Sequence, residues 1–334
     1  MKVLRLHAPG DLRLHEESVP APSQGEVLVR VKAVGICGSD LHWFGQGGIG
    51  DARLDKPLVL GHEFAGVIAG GHRQGERVAV DPAIPCHVCE YCQHGNPNLC
   101  TNMRFAGHAT QDGALCEVIS WPEECLYPLP DTLTFAEGAM LEPLGVALHA
   151  MDLGKVRVGM TVGIFGAGPI GALIVQLARL AGAKSILVTD KLPHRLETAR
   201  RLGASQVIRA GNEPEIQSIL TTSEDGVDVA FEAAGENDAV ETAMAVVRPG
   251  GRVILAGIPD DDHISFSASV ARRKGLTIKM VRRMKFTYPR AIQLVQSGQV
   301  DLKSLVTQVF PLEQGQLAFT SAARREGQKC IIEI

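Results

Sequence analysis

Cys37, His62 and Glu63 are the side chains in this 334-residue sequence best suited to do chemistry together. They belong to Cys37-Gly38-Ser39-Asp40-Leu41-His42 and to Gly61-His62-Glu63, about twenty residues further on. One thiolate, one imidazole and one carboxylate can hold a divalent ion such as zinc and leave a fourth position open, as a catalytic site requires. Two anionic ligands neutralise the ion, which can still act as a Lewis acid toward an alcohol oxygen. Read one at a time, the residues are less telling. A lone cysteine is usually a small core residue, and a lone histidine or glutamate is usually a hydrogen-bonded or solvated group.

A second cluster is Cys86, Cys89, Cys92 and Cys100, a lobe spanning 86–100. Four thiolates at this spacing suit a closed tetrahedral zinc site without a vacancy, hence a structural one. Disulfides fit poorly with a reducing compartment, and the flanking Glu90, Gln93, Gly95 and Pro97 are not the basic surround of a nucleic-acid ribbon. A third pattern is Gly166-Ala167-Gly168-Pro169-Ile170-Gly171. Glycines alone are weak evidence. Here an apolar strand, Thr161 to Phe165, precedes them, an apolar helix follows, and a second strand from Ile186 ends at Asp190, nineteen residues past Gly171. Such a turn lets backbone N–H groups approach a pyrophosphate at a helix N-terminus, and Asp190 can accept bonds from the adenosine ribose hydroxyls. The carboxylate would repel the extra phosphate of NADP, so NAD is the expected cofactor. Lys191 and His194 beside it keep that choice from being absolute.

The elements that must position these residues fall into two patterns. Residues 1–36 read as β structure, with Val27, Val29 and Val31 alternating with Leu28, Arg30 and Lys32 after the turn-forming stretch 20–25. That strand delivers Cys37, between Gly35 and Gly38, where the backbone is expected to pass close to something bulky. The apolar run Leu58-Val59-Leu60 delivers His62 and Glu63. From Thr161 onward, strands alternate with helices through Val207-Ile208, Val227 to Phe231 and Val253 to Ala256, which implies a parallel, doubly wound sheet. Ala256, Gly257 and Ile258 end a strand on the edge where dinucleotides bind, and so do Ala233, Ala234 and Gly235. An ordinary turn is the competing reading. The expected class is therefore α/β, with a mostly β catalytic domain beside a Rossmann domain.

Cys-Gly-Ser-Asp-x-His followed by Gly-His-Glu, the four-cysteine lobe and the glycine turn together resemble the medium-chain zinc-dependent dehydrogenases. Within them the pattern is similar to that of the sorbitol (polyol) dehydrogenase branch, and the resemblance covers essentially the whole chain. It implies a GroES-like catalytic domain at 1–145, an NAD-binding Rossmann domain at 146–282, and a return to the catalytic domain at 283–334. It implies one catalytic zinc on Cys37, His62 and Glu63, with Asp40 orienting His62, and one structural zinc in the lobe. Ser39 and His42 would relay the proton to solvent. Glu142, before Pro143, would ligate the metal or hold its water, with a helix N-terminal carboxylate as the competing reading. Trp43 would line the substrate pocket where the family usually has tyrosine; His108, in the 105–112 loop that borders the cleft in the family, would be within reach of substrate, with a plain surface histidine the favoured reading. Arg195 would lie along the adenine side. In Val281-Arg282-Arg283-Met284, Arg283 matches a family arginine near substrate and the preceding residues would lie near nicotinamide. Arg282 and Met284 depart from the pattern.

The rest of the composition narrows the class. The 33 Lys plus Arg nearly balance 37 Asp plus Glu, for a net charge of -4, and no basic block or basic-aromatic stripe appears. Nucleic acid and membrane surfaces are not expected partners. The apolar stretch 162–183 is interrupted by Gln176 and Arg179 and holds five glycines, unlike a membrane span. The N-terminus lacks an apolar signal region, so a cytoplasmic protein is expected. The activity expected is oxidation of a secondary alcohol of a polyol or sugar to a ketone. A threonine or butanediol-type dehydrogenase is the alternative, and a non-enzymatic NAD- and zinc-binding scaffold is a remote one. Relatives suggest a homotetramer or homodimer by analogy alone.

Overall fold

The computed structural model describes residues 1–211, 215–223 and 225–334. They form two compact units, Met1–Pro143 with Tyr288–Ile334, and Leu144–Thr287.

The first unit is mostly β. Strand Glu26–Gly35 is its spine, pairing antiparallel with Glu63–Ile68, with Val118–Pro122 and with the closing strand Lys329–Glu333. These belong to a seven-stranded sheet. The alternation of Val27, Val29 and Val31 places Val29 and Val31 in the interior beside Phe64, Trp121 and Ile332. The Phe64 and Trp121 rings meet edge to face at 6.0 Å, and the Trp121 indole N–H donates to the Asp81 carbonyl at 2.9 Å. The returning segment is fastened by Tyr288, whose ring stacks on Tyr127 at 4.6 Å and whose hydroxyl donates to the Val80 carbonyl at 2.5 Å.

The second unit is a six-stranded parallel sheet with helices between its strands. In spatial order its strands run third, second, first, fourth, fifth, sixth. That order reverses between Thr161–Phe165 and Val227–Glu232, the kind of switch point at which a crevice opens beyond the strand ends. Thr161–Phe165 is buried at every position, as a strand covered on both faces must be. Residues 283–287 belong to this unit, and two of them pack closely on Gly145 in the helix Leu141–Gly154. A side-chain carbon there would fall 2.5 Å from Met284 Sδ and 2.6 Å from Thr287 Oγ1. The sequence places the boundaries at 145/146 and 282/283; the packing places them at 143/144 and 287/288. Among the described residues, no helix is long and apolar enough to cross a membrane.

Candidate active site and dinucleotide cradle

The three ligand types converge. Ligand atoms of Cys37, His62 and Glu63 all lie within 4.8 Å of one another, a grouping that could hold a metal ion. Cys37 is the N-cap of the helix Gly38–Gln46, directly after the spine strand. His62 follows Gly61, whose φ of +92° turns the chain, and a side-chain carbon at Gly61 would strike Val34 Cγ1 at 2.7 Å. Glu63 begins the neighbouring strand. Gly35 shows why a glycine precedes Cys37: a side-chain carbon there would sit 2.1 Å from Glu63 Oε2. Gly38 differs from expectation. Open space surrounds it, because it starts a helix at the surface and faces nothing bulky.

Asp40 holds the two half-sites together. Its Oδ2 accepts from the Cys37 N–H at 3.0 Å, its Oδ1 accepts from the Gly61 N–H at 3.1 Å, and the same Oδ1 lies 3.3 Å from His62 Nδ1. Burial alone would raise the Asp40 carboxyl, but the His62 charge and these hydrogen bonds outweigh burial and bring it below the usual carboxylate range. With Nδ1 engaged by Asp40, His62 turns Nε2 to the other side, 3.3 Å from Ser39 Oγ. Burial would lower His62, yet the Asp40 and Cys37 charges carry it well above the ordinary histidine value. A metal on its ring would displace that proton.

Lys329 is the site residue that sequence reading missed. Its ammonium makes an ion pair with Glu63 Oε2, and the two side chains are 2% and 1% exposed. Burial works to lower the lysine, but Glu63 and Cys37 raise it above its ordinary value. Nothing local announces this role. The only signal is a charged residue directly before the buried run Cys330-Ile331-Ile332, in a strand that ends on the exposed Glu333.

Glu142 is buried in the first turn of the helix Leu141–Gly154 and stands outside the close group of three. Burial first, offset by His62 and reinforced by Glu63, pushes its carboxyl up to about 7. Ser39 and His42 lie three apart on the helix Gly38–Gln46, hence on one face, and both are half-buried. Trp43 is 1% exposed and part of the core, with its ring edge against His108 at 5.7 Å. The Phe105 ring lies 5.2 Å from that of His62.

The four thiols of the lobe also gather within 4.8 Å. The Cys86 N–H points at Cys100 Sγ at 3.2 Å and the Cys89 N–H at Cys86 Sγ at 3.4 Å. All eight cysteines are free thiols.

In the second unit the glycine turn ends at Gly168, the N-cap of the helix Pro169–Leu180, with Ile170 and Gly171 in the first turn. No side chain caps that end, so its first N–H groups are available to an anion. Gly166 has φ +101°, and a side-chain carbon there would lie 2.7 Å from the Ala234 nitrogen. One at Gly171 would lie 1.9 Å from the Gly166 oxygen. This backbone cradle, narrow and uncapped, fits a pyrophosphate. Asp190 is fixed beside it: Oδ2 accepts from Ala167 N–H at 2.7 Å and Oδ1 from Leu192 N–H at 2.8 Å. Arg195 Nη1 lies 3.4 Å from where a Gly168 side-chain carbon would be.

Glu232 is a further residue that sequence reading passed over. Buried at the end of its strand, it accepts from the Ala234 and Gly235 N–H groups, each at 2.7 Å, while its carbonyl accepts from Ala256 and Gly257 at 2.8 and 3.1 Å. It thereby ties the 233–235 loop to the loop at Ala256, Gly257 and Ile258. Val281, whose N–H donates to the Leu255 carbonyl at 2.8 Å, leads to Arg282 and to Arg283 at φ +56°.

Comparison with known proteins gives two family matches. Residues 23–131 match the alcohol dehydrogenase GroES-like domain and residues 169–297 the zinc-binding dehydrogenase domain. Sorbitol dehydrogenase of Bacillus subtilis (strain 168) is 38% identical over 329 residues, 96% of this chain and 93% of that protein. A solved Escherichia coli CFT073 structure, described as a short chain alcohol dehydrogenase complexed with NADH, superposes with a TM-score of 0.92 at 29% identity, covering 100% of this chain and 99% of that one. A zinc-binding dehydrogenase structure from Sinorhizobium meliloti 1021 bound to NADP has a TM-score of 0.90, 29% identity and the same coverage.

Proposed function

The chain belongs to the zinc-binding dehydrogenases with an alcohol dehydrogenase GroES-like domain, and from that premise we propose that it oxidises a secondary alcohol of a polyol or sugar to a ketone, reversibly, with NAD as hydride acceptor. The observation that carries the reading is the convergence of Cys37, His62 and Glu63 on one point. When bound, the metal supplies a Lewis acid for the alcohol oxygen and the nicotinamide supplies the hydride acceptor.

The chain's own residues do the rest. Cys37, His62 and Glu63 hold the metal, with Asp40 orienting His62. Ser39, near His62 Nε2, takes the hydroxyl proton and hands it to His42, one helical turn on. Glu142, whose carboxyl burial pushes up, would be a further residue to ligate the metal, in place of Glu63, or to hold a water beside it. Cys86, Cys89, Cys92 and Cys100 hold a structural zinc. Gly166, Gly168, Pro169, Ile170 and Gly171 receive the pyrophosphate, Asp190 the adenosine ribose and Arg195 the adenine side. Ala256, Gly257, Ile258, Val281 and Arg282 line the nicotinamide half. Arg283 and Glu142 contact substrate. Trp43, being buried, shapes the substrate wall from behind by fixing His108.

The polyol assignment is supported by the 38% identity to a sorbitol dehydrogenase over nearly the full chain. A panel of sorbitol, xylitol, 2,3-butanediol and threonine, followed by NADH absorbance with and without a strong chelator, tests the proposal. Polyols should lead the panel and chelation should abolish turnover. Threonine or butanediol leading by more than tenfold would overturn the substrate class, and full turnover by metal-free protein would overturn the metal chemistry. A homotetramer or homodimer in the cytoplasm completes the proposal.

A further inference from the structure

In the second unit a cation and an anion meet above the glycine cradle. Lys191 directly follows Asp190 at the end of strand Ser185–Asp190, and Glu236 is the N-cap of the helix Asn237–Val246, just past strand Val227–Glu232. These two strands flank Thr161–Phe165 on opposite sides. The Lys191 ammonium and the Glu236 carboxylate nevertheless form an ion pair, so their side chains span the strand whose outgoing loop is the cradle. The pair sits at the surface, with Lys191 54% and Glu236 30% exposed. An exposed pair of this kind does little for stability, which leaves room for another role.

Its neighbourhood suggests which. Asp190 is locked by two backbone N–H groups, so its charge stays where a ribose 2′ substituent would lie. A dinucleotide bearing a 2′-phosphate brings two further negative charges to that point. Lysine and arginine side chains are what proteins use to accept such a phosphate, and both Lys191 and Arg195 are at hand. Lys191, however, is drawn across the cradle to a carboxylate.

We infer that Glu236 is a coenzyme-selecting residue: it withdraws Lys191 from the ribose site, so that 2′-phosphorylated dinucleotides are rejected more strongly than Asp190 alone would reject them. The inference rests on the reading of the glycine turn and Asp190 as the dinucleotide site.

The test is direct binding of NADH and NADPH, read by fluorescence titration of the full chain, with kcat/KM for NAD and NADP on the leading polyol alongside. Four proteins are compared: the natural chain, Glu236→Gln, Lys191→Met and the double variant. Glu236→Gln should tighten NADPH relative to NADH by about tenfold, the worth of one charge-assisted phosphate contact. The kcat/KM ratio should move with it, and the gain should vanish in the double variant because it needs Lys191. A Glu236→Gln ratio within twofold of the natural chain overturns the inference while leaving the proposed function intact. A gain that survives undiminished in the double variant overturns it too, since Lys191 would then have no part. If the natural chain binds neither nucleotide, the dinucleotide reading fails and the inference with it.

Discussion

The lobe draws all its candidate ligands from residues 86–100, whereas Cys37 and His62 with Glu63 come from two separated segments and meet Lys329 from a third. The lobe is chemically uniform, four thiols with backbone N–H groups pointed at two of them, and three of its four cysteines are only partly buried. The other cluster mixes donor types, and His62, Glu63, Asp40, Glu142 and Lys329 are all buried. Four like charges from a short loop can be satisfied by one ion and little else. A mixed set wrapped in buried charges stays balanced in more than one state, as a site that exchanges ligand and substrate must be. A closed site is cheap to build locally; an open one recruits the whole unit.

The largest expected effect breaks the comparison at its centre. Cys37→Ser should remove one metal equivalent per chain and lower kcat/KM by on the order of 10³-fold, with the thermal melt nearly kept. Cys92→Ser should remove the other equivalent, lower the melting temperature and leave turnover at permissive temperature within a few-fold. Metal analysis beside NADH kinetics reads both. Equal loss of activity in a folded Cys92→Ser protein would show that the lobe is more than structural.

The second effect concerns the charge that only the open cluster contains. Lys329→Met leaves the Glu63 carboxylate buried without its partner, and breaking such a pair costs about 3–5 kcal/mol. Urea unfolding of metal-free protein should show that loss. A bound divalent ion would also neutralise Glu63, so the loss should shrink in metal-loaded protein. An equal loss with and without metal would show that Lys329 does not share Glu63 with the ion.

Local spacing marks the candidate ligands in the sequence, and tertiary placement hides the rest. Cys37, His62, Glu63 and the four thiols stand in short motifs whose chemistry follows from residue type, and the strand, glycine turn and Asp190 form a unit with fixed order. Lys329 sits at the far end of the chain, and only the pairing of Lys329–Glu333 with Glu26–Gly35 brings it to Glu63. Gly35 was legible as a close approach, but not what it approaches; Gly38 carried the same signal and meets nothing. Trp43 reads as a pocket wall by position, yet it packs into the core because the helix Gly38–Gln46 turns that face inward. Glu232 looks like any acid ending a strand until two loops fold back over it.

The smallest effect sharpens the contrast from the lobe's side. His87, at φ +60° between two of the thiols, pairs with Glu124 at 2.9 Å, and both side chains are more than half exposed, at 58% and 59%. Water screens this pair as it cannot screen Lys329 and Glu63, so Glu124→Gln should cost less than about 1 kcal/mol. The same urea titration that reads Lys329→Met reads this variant. A loss as large as that of Lys329→Met would mean that the lobe, too, depends on charges beyond its thiols. The difference between the clusters would then lie in their donor atoms alone.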